Sequence, residues 1–124
     1  QFTYASTISV MPHLKSGKLR GLGVTSRARA KSLPDLPTLD EAGVPGFDVA
    51  QWYGVFGPAG TSRAVIERVQ REVASVLQQP DIAARLASDG SEPVGSSPEQ
   101  FAPFLRSEVD KWRKVIRSSG ISVE

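Results

Sequence analysis

Pro12-His-Leu-Lys-Ser-Gly-Lys-Leu-Arg-Gly-Leu-Gly-Val-Thr-Ser26 is the stretch whose reading decides the fold class. Its first residues continue a short helix that carries Ile8, Val10, Met11 and Leu14. Gly17 supplies the stop, because glycine takes the left-handed backbone of a helix end without a Cβ clash. Lys18-Leu-Arg-Gly-Leu-Gly-Val-Thr25 then alternates apolar Leu22 and Val24 with glycines, the pattern of a buried strand closely approached by other backbone. Upstream, residues 1–5 are short and β-prone. Strand, helix and strand in succession predict a βαβ unit with a parallel pair, and hence an α/β fold.

Downstream, residues 26–37 read as a connector carrying Arg27, Arg29, Lys31, Pro34 and Pro37. Thr38 and Glu41 have capping-box spacing and predict a short helix to Gly43. Val44-Pro-Gly is a turn, and the aromatic and β-branched run from Phe47 to Phe56 predicts another strand. Thr61 is the expected cap of a helix whose Val65, Ile66, Val69, Val73, Val76 and Leu77 form one apolar stripe. Pro80 opens a shorter helix that Gly90 ends, and Pro93-Val94 suits a brief strand. Ser97-Pro98-Glu99-Gln100 combines an N-cap, a proline at the first helical position and a capping-box partner. The helix that follows places Phe101, Leu105, Val109, Trp112, Val115 and Ile116 on one face, which predicts a core position for Trp112. Pro103 lies past the tolerated first turn, so local distortion is expected there.

Composition narrows the chemistry. The 124 residues fit one domain, and 40% hydrophobic content suffices for a core. Fifteen basic against 13 acidic residues leave a charge of only +2, too weak a field for a nucleic-acid partner. With no cysteine there is no disulfide, thiolate metal site or cysteine nucleophile. No apolar run approaches a membrane span. The first residues lack the basic start and apolar block of a signal peptide, so the sequence as it stands predicts no self-directed export.

His13 is the single histidine and has no carboxylate near it in sequence, so a structural or surface role is expected rather than metal binding or catalysis. The glycines of 17–23 fall within a strand pattern and match neither phosphate-loop nor dinucleotide fingerprints. Gly57-Pro-Ala-Gly-Thr61 lies between strand and helix, where a capped turn is preferred to an anion site. Ser6, Thr7 and Ser9 form a hydroxyl-rich helix start directly after a strand. A carboxylate suits such a place, because backbone amides and hydroxyls supply donors without a charged residue; plain capping remains the equal alternative. Trp52 and Tyr53 either wall a ligand or pack in the core. No cofactor or metal is called for.

The ordered set Pro12-His13, Gly17-Lys-Leu-Arg20, Val24-Thr25, Leu36-Pro-Thr38, Glu41-Ala-Gly43, Trp52-Tyr-Gly54 and Pro58-Ala-Gly60 resembles one family. It is that of the Bug-type (TctC-like) substrate-binding proteins of tripartite tricarboxylate transporters. Glu92-Pro-Val94 and the final tryptophan-bearing helix fit it too. From about residue 4 onward the chain resembles the C-terminal portion of such a receptor, without its signal peptide and most of one lobe. The resemblance implies an α/β fragment of a two-lobed, periplasmic-binding-protein-like (type II) clamshell, with a short parallel or mixed sheet flanked by helices. Residues 1–30 would be a remnant of the second lobe, 31–46 an interlobe connector, and 47–124 the C-terminal part of the first lobe.

On the same resemblance the expected function is periplasmic binding of a small organic carboxylate and its delivery to membrane permease subunits, without catalysis. Ser6 and Thr7 would face the cleft, with Trp52 and Tyr53 near hinge and cleft. Some members carry an aspartate-asparagine pair where this chain has Ala5-Ser6, so their ligand preference does not transfer. Apolar faces left open by the missing lobe predict a homodimer or an element-exchanged oligomer. The rival expectation is a self-associating remnant of the fold that binds no ligand.

Overall fold

Helices dominate the computed structural model, which describes residues 2–120: α1 (Thr7–Lys15), α2 (Arg63–Leu77), α3 (Pro80–Ser88) and α4 (Pro98–Ser119). Their ends follow local chemistry. Ser16 and Gly17 (φ 73°) close α1, and Gly90 (φ 80°) follows α3. At α4 the capping box forms in both directions: Ser97 Oγ accepts from the Gln100 amide at 3.3 Å, and Gln100 Oε1 accepts from the Ser97 amide at 2.9 Å. The helix runs unbroken through Pro103 to a left-handed Gly120, so the expected distortion does not interrupt it. Ser62, not Thr61, supplies the first carbonyl of α2, accepting from Val65 and Ile66. Thr61 Oγ1 instead donates back to Pro58 O at 2.7 Å, which closes the preceding turn.

The sheet differs most from expectation. Among the described residues it reduces to one parallel bridge, Val24 with Thr38. Val24 N–H donates to Pro37 O and Leu39 N–H to Val24 O, each at 2.9 Å. The segments read as strands at 1–5, 18–25, 47–56 and 93–94 join no other ladder (Gln1 lies outside the described residues). A strand is completed only by a neighbour, and alternation in sequence carries no information about where that neighbour comes from.

The short helix expected after Thr38 is a hydrogen-bonded turn instead. Its capping box is intact: Thr38 Oγ1 accepts from the Glu41 amide at 3.1 Å, and the Glu41 carboxylate accepts from the Thr38 amide at 2.9 Å. Gly43 (φ 105°) and Pro45 stop it after one turn. Arg29 Nε reaches both Glu41 oxygens, at 2.9 and 3.2 Å, while Nη1 donates to Pro34 O. The Thr38 amide and the Arg29 guanidinium together hold the Glu41 carboxyl below the usual glutamate range. A carboxyl lowered on folding stabilises above its unfolded pKa, and that contribution is lost as pH falls through the lowered folded value. Followed by NMR, the Thr38 amide is therefore expected to titrate with a midpoint below that of a free glutamate. The Glu41→Gln variant should show no such step. A midpoint at or above the free value would mean that Arg29 does not hold the turn.

The chain forms two compact units, residues 2–56 with 77–93 and residues 57–76 with 94–120. In the first, α1 packs on the end of α3. A Cβ at Gly90 would run into Thr7 Cγ2 and, at 3.1 Å, Met11 Cε. Met11, 5% exposed, is the one fully buried apolar residue among those described. Lys31 Nζ meets Glu92 at 3.1 Å in the same unit.

In the second unit the buried residue is a carboxylate, Glu108, which pairs with Lys111 and accepts from Trp112 Nε1 at 3.3 Å. The expected core position of Trp112 is not realised: the residue is 41% exposed. The α2 stripe is open too, with Val65, Ile66, Val69, Val73 and Val76 between 37% and 52% exposed. Sequence periodicity identifies an apolar face correctly but does not say what covers it. The total accessible surface is 9951 Å². Two separately compact bodies of roughly 70 and 50 residues would together expose about 7,800 Å².

Candidate functional site

Ser6 and Thr7 sit where the sequence places them, at the start of α1. Ser6 takes the N-cap position with extended backbone (φ −65°, ψ 144°), but its side chain makes no capping bond. Its hydroxyl lies 3.0 Å from that of Ser9, whose Oγ donates to Ser6 O at 2.8 Å. That carbonyl also accepts the amides of Ser9 and Val10. The amides of Thr7 and Ile8 have no hydrogen-bond partner among the described residues. First-turn donors left open in this way carry partial positive charge. No acidic side chain stands in the first turn of α1. The arrangement can take a carboxylate oxygen through two backbone N–H groups with the Ser6 and Thr7 hydroxyls beside them.

Thr7 also has a packing role, since its methyl lies against Gly90. Sequence reading singled out the Thr7 hydroxyl but missed this contact, which joins positions 83 residues apart and leaves no local signal. The backbone amides it expected as donors at this helix start are those of Thr7 and Ile8.

Trp52 and Tyr53 occupy a second place in the same unit, on the segment leading out of the 24–49 turns. Trp52 is half-buried, whereas Tyr53 is 79% exposed, its hydroxyl accepting from Gln51 Nε2 at 2.9 Å. Neither reading of this pair, ligand wall or core, is completed within the described residues for Tyr53, which stands in the open.

The remaining candidates resolve to structure. His13 is exposed; its carbonyl accepts from Leu19 N and Ser16 Oγ. No cluster of three or more potential metal ligands exists among the described residues. Gly57–Thr61 is a closed turn with a left-handed Gly60 (φ 83°), as the capped-turn reading requires. Arg29 and Lys31 are occupied by Glu41 and Glu92, in keeping with a solvated connector. An open cavity of about 270 Å³ lies between Leu14, Leu19 and the Ser32–Leu36 segment. Asp35 on its wall suits it poorly to an anion, and none of Ser6, Thr7, Trp52 and Tyr53 lines it. No described helix is long and apolar enough to cross a membrane.

Comparison with known proteins gives a consistent result. A family described as "Tripartite tricarboxylate transporter family receptor" matches residues 1–121. The chain is 40% identical over 112 residues to the "UPF0065 protein in tcbD-tcbE intergenic region" of Pseudomonas sp. (strain P51), covering 90% of this chain and 33% of that one. It is 32% identical over 116 residues to protein BugT of Bordetella pertussis, covering 94% and 36%. It thus spans about a third of the length of these curated relatives. Among solved structures, "R. palustris Rpa4515 with adipate" superposes with a TM-score of 0.81 at 34% identity, over 94% of this chain and 39% of that one. "Structure of periplasmic binding protein BugD" gives 0.81 at 30% identity, over 93% and 39%. The backbone therefore has the fold of part of a periplasmic binding protein.

Proposed function

The chain belongs to the tripartite tricarboxylate transporter receptor family, and on that premise we propose that it is part of a periplasmic receptor for a small organic carboxylate. The receptor hands its ligand to membrane permease subunits without chemical change; the family is one of solute-binding receptors, not of enzymes. Residues 1–30 belong on this reading to the second lobe, 31–46 to the connector and 47–124 to the first lobe. The observation that carries the proposal is the start of α1, where the Thr7 and Ile8 amides and the Thr7 hydroxyl offer donors and no acidic side chain competes. The Ser6 hydroxyl, now donating to Ser9 Oγ, can turn to join them. A carboxylate needs donors of this kind, and a hydrogen bond to a charged group contributes about 1.5–3 kcal/mol. Trp52 and Tyr53 supply the apolar side of the site.

Adipate, present in the similar R. palustris structure, is the first ligand to test, followed by other di- and tricarboxylates, aromatic acids, acidic amino acids and nicotinate. In NMR titrations the amides of Thr7 and Ile8 and the Trp52 indole are expected to shift together. Ser6→Ala and Thr7→Val, the latter keeping the methyl that packs on Gly90, should each weaken binding about tenfold. Shifts confined to other segments, or none with any of these acids, would overturn the assignment and favour a remnant of the fold without ligand.

A further inference from the structure

We propose that Asp89-Gly90 is a site of spontaneous covalent modification, isomerisation of the aspartate, and that α1 packed against it keeps the reaction slow. It is the single Asp-Gly pair of the chain, which has no asparagine, so no comparably reactive place competes. Glycine leaves its amide nitrogen unshielded and its backbone free to turn, which is what ring closure needs. The Gly90 nitrogen attacks the Asp89 carboxyl carbon. A C–N bond forms, and the amide proton leaves with the carboxyl hydroxyl as water. The five-membered imide then takes water back at either carbonyl. Opening at the main-chain carbonyl leaves the backbone running through the former side chain, one carbon longer. Water is lost and regained, so the chain alone supplies the reaction.

The fold holds this pair off the reaction path. Asp89 is the C-cap of α3, with φ −86° and ψ −1°. At that ψ the Gly90 nitrogen eclipses the Asp89 nitrogen, whereas the ring needs it beside Cβ. The Gly90 amide donates to Ala87 O at 3.0 Å and the Ser91 amide to Leu86 O at 2.8 Å, a Schellman closure around left-handed Gly90. From outside, α1 bears on the same turn. Lys15 Nζ reaches Ser88 O at 3.4 Å, and Thr7 Cγ2 and Met11 Cε crowd the place of a Gly90 Cβ. The Asp89 carboxylate has no partner among the described residues and can swing once the turn opens. Reaction therefore runs through a local opening, and its rate reads how often α1 lifts. The product does not fit back. One more backbone carbon beside Gly90 moves it off a contact that has no room for another atom. With its seat lost, α1 comes away and takes the Thr7 and Ile8 amides with it.

The proposal does not depend on the carboxylate site, and its test contains no ligand. The chain is kept in warm neutral buffer, folded or in denaturing urea, and isoaspartate is located by peptide mapping with electron-transfer fragmentation. In the folded chain it should build up at residue 89 and nowhere else, about tenfold more slowly than in urea. Lys15→Ala removes the tie to Ser88, and Thr7→Ser removes the methyl against Gly90. Each should speed the reaction about threefold with circular dichroism unchanged. Asp89→Ser should abolish it. The isomerised fraction, separated by ion exchange, should exchange its amides over residues 7–15 about tenfold faster than the unmodified chain. Isoaspartate missing from residue 89 of the folded chain, after the urea sample has reacted, would overturn the site. Equal rates folded and in urea, or indifference to both Lys15→Ala and Thr7→Ser, would take the controlling role from α1. Full protection of α1 in the isomerised fraction would overturn the consequence drawn for that helix.

Discussion

Gly90→Val is expected to strip α1 of its protection against hydrogen exchange. Two penalties coincide at this position. Its φ of 80° lies in the left-handed region, which costs a β-branched residue about 1–3 kcal/mol. The added carbons would also enter space filled by Thr7 Cγ2 and Met11 Cε, an overpacking worth about 1–3 kcal/mol more. Met11 is the one fully buried apolar side chain described, so no other contact of that kind compensates. Exchange mass spectrometry over residues 7–15 and 80–88 is the measurement. Gly90→Ala should show the same effect in smaller measure, and undiminished protection of α1 in both variants would show that this contact does not hold the two helices together. If α1 also binds the carboxylate, Gly90→Val abolishes binding without touching a donor.

The second large effect is an asymmetry at Glu108. This carboxylate is 8% exposed, pairs with Lys111 and accepts the Trp112 indole N–H. Lys111→Met removes a charged partner of a buried carboxylate, at a cost of about 1–3 kcal/mol. Glu108→Leu removes the burial penalty itself, and the lysine head, on its flexible stem, turns to water. That change is expected to be neutral or stabilising. Exchange rates along α4 distinguish them: faster in Lys111→Met, unchanged or slower in Glu108→Leu. Equal losses in both would mean that the ion pair contributes net stability.

Local chemistry was legible residue by residue. Ser97-Pro98-Glu99-Gln100 folds as the capping box its spacing announces, Gly17 and Gly90 stand at helix ends with positive φ, and the Thr38–Glu41 box forms although the helix behind it does not. Thr61 was misread by one position, because a hydroxyl that can cap can also close the turn before the helix. What the sequence did not carry is partnership. Val24 and Leu22 both read as strand residues, but only Val24 pairs, in a single bridge, and its neighbour is Thr38 rather than the chain's first residues. Trp112 reads as core from its stripe and lies open because burial depends on what is laid against the stripe. The same holds for the site. The hydroxyls at the start of α1 were evident, whereas the place of Tyr53 depends on surfaces that its own segment does not provide.

The knot of turns between Val24 and Val49 sets an order of assembly. Its ties are short in sequence: Arg29 to Glu41 spans 12 residues and the Arg27 amide to Asp48 Oδ1 spans 21. Loops of this size close in about 10–100 ns, with little entropy to overcome. The ties from Lys15 to Ser88 and from Lys31 to Glu92 span 73 and 61 residues and cannot form until α3 exists. On a growing polypeptide the knot therefore closes first and waits for the later helix to arrive. Substitutions at Arg29 or Glu41 should slow folding, whereas those at Lys31 or Glu92 should mainly hasten unfolding.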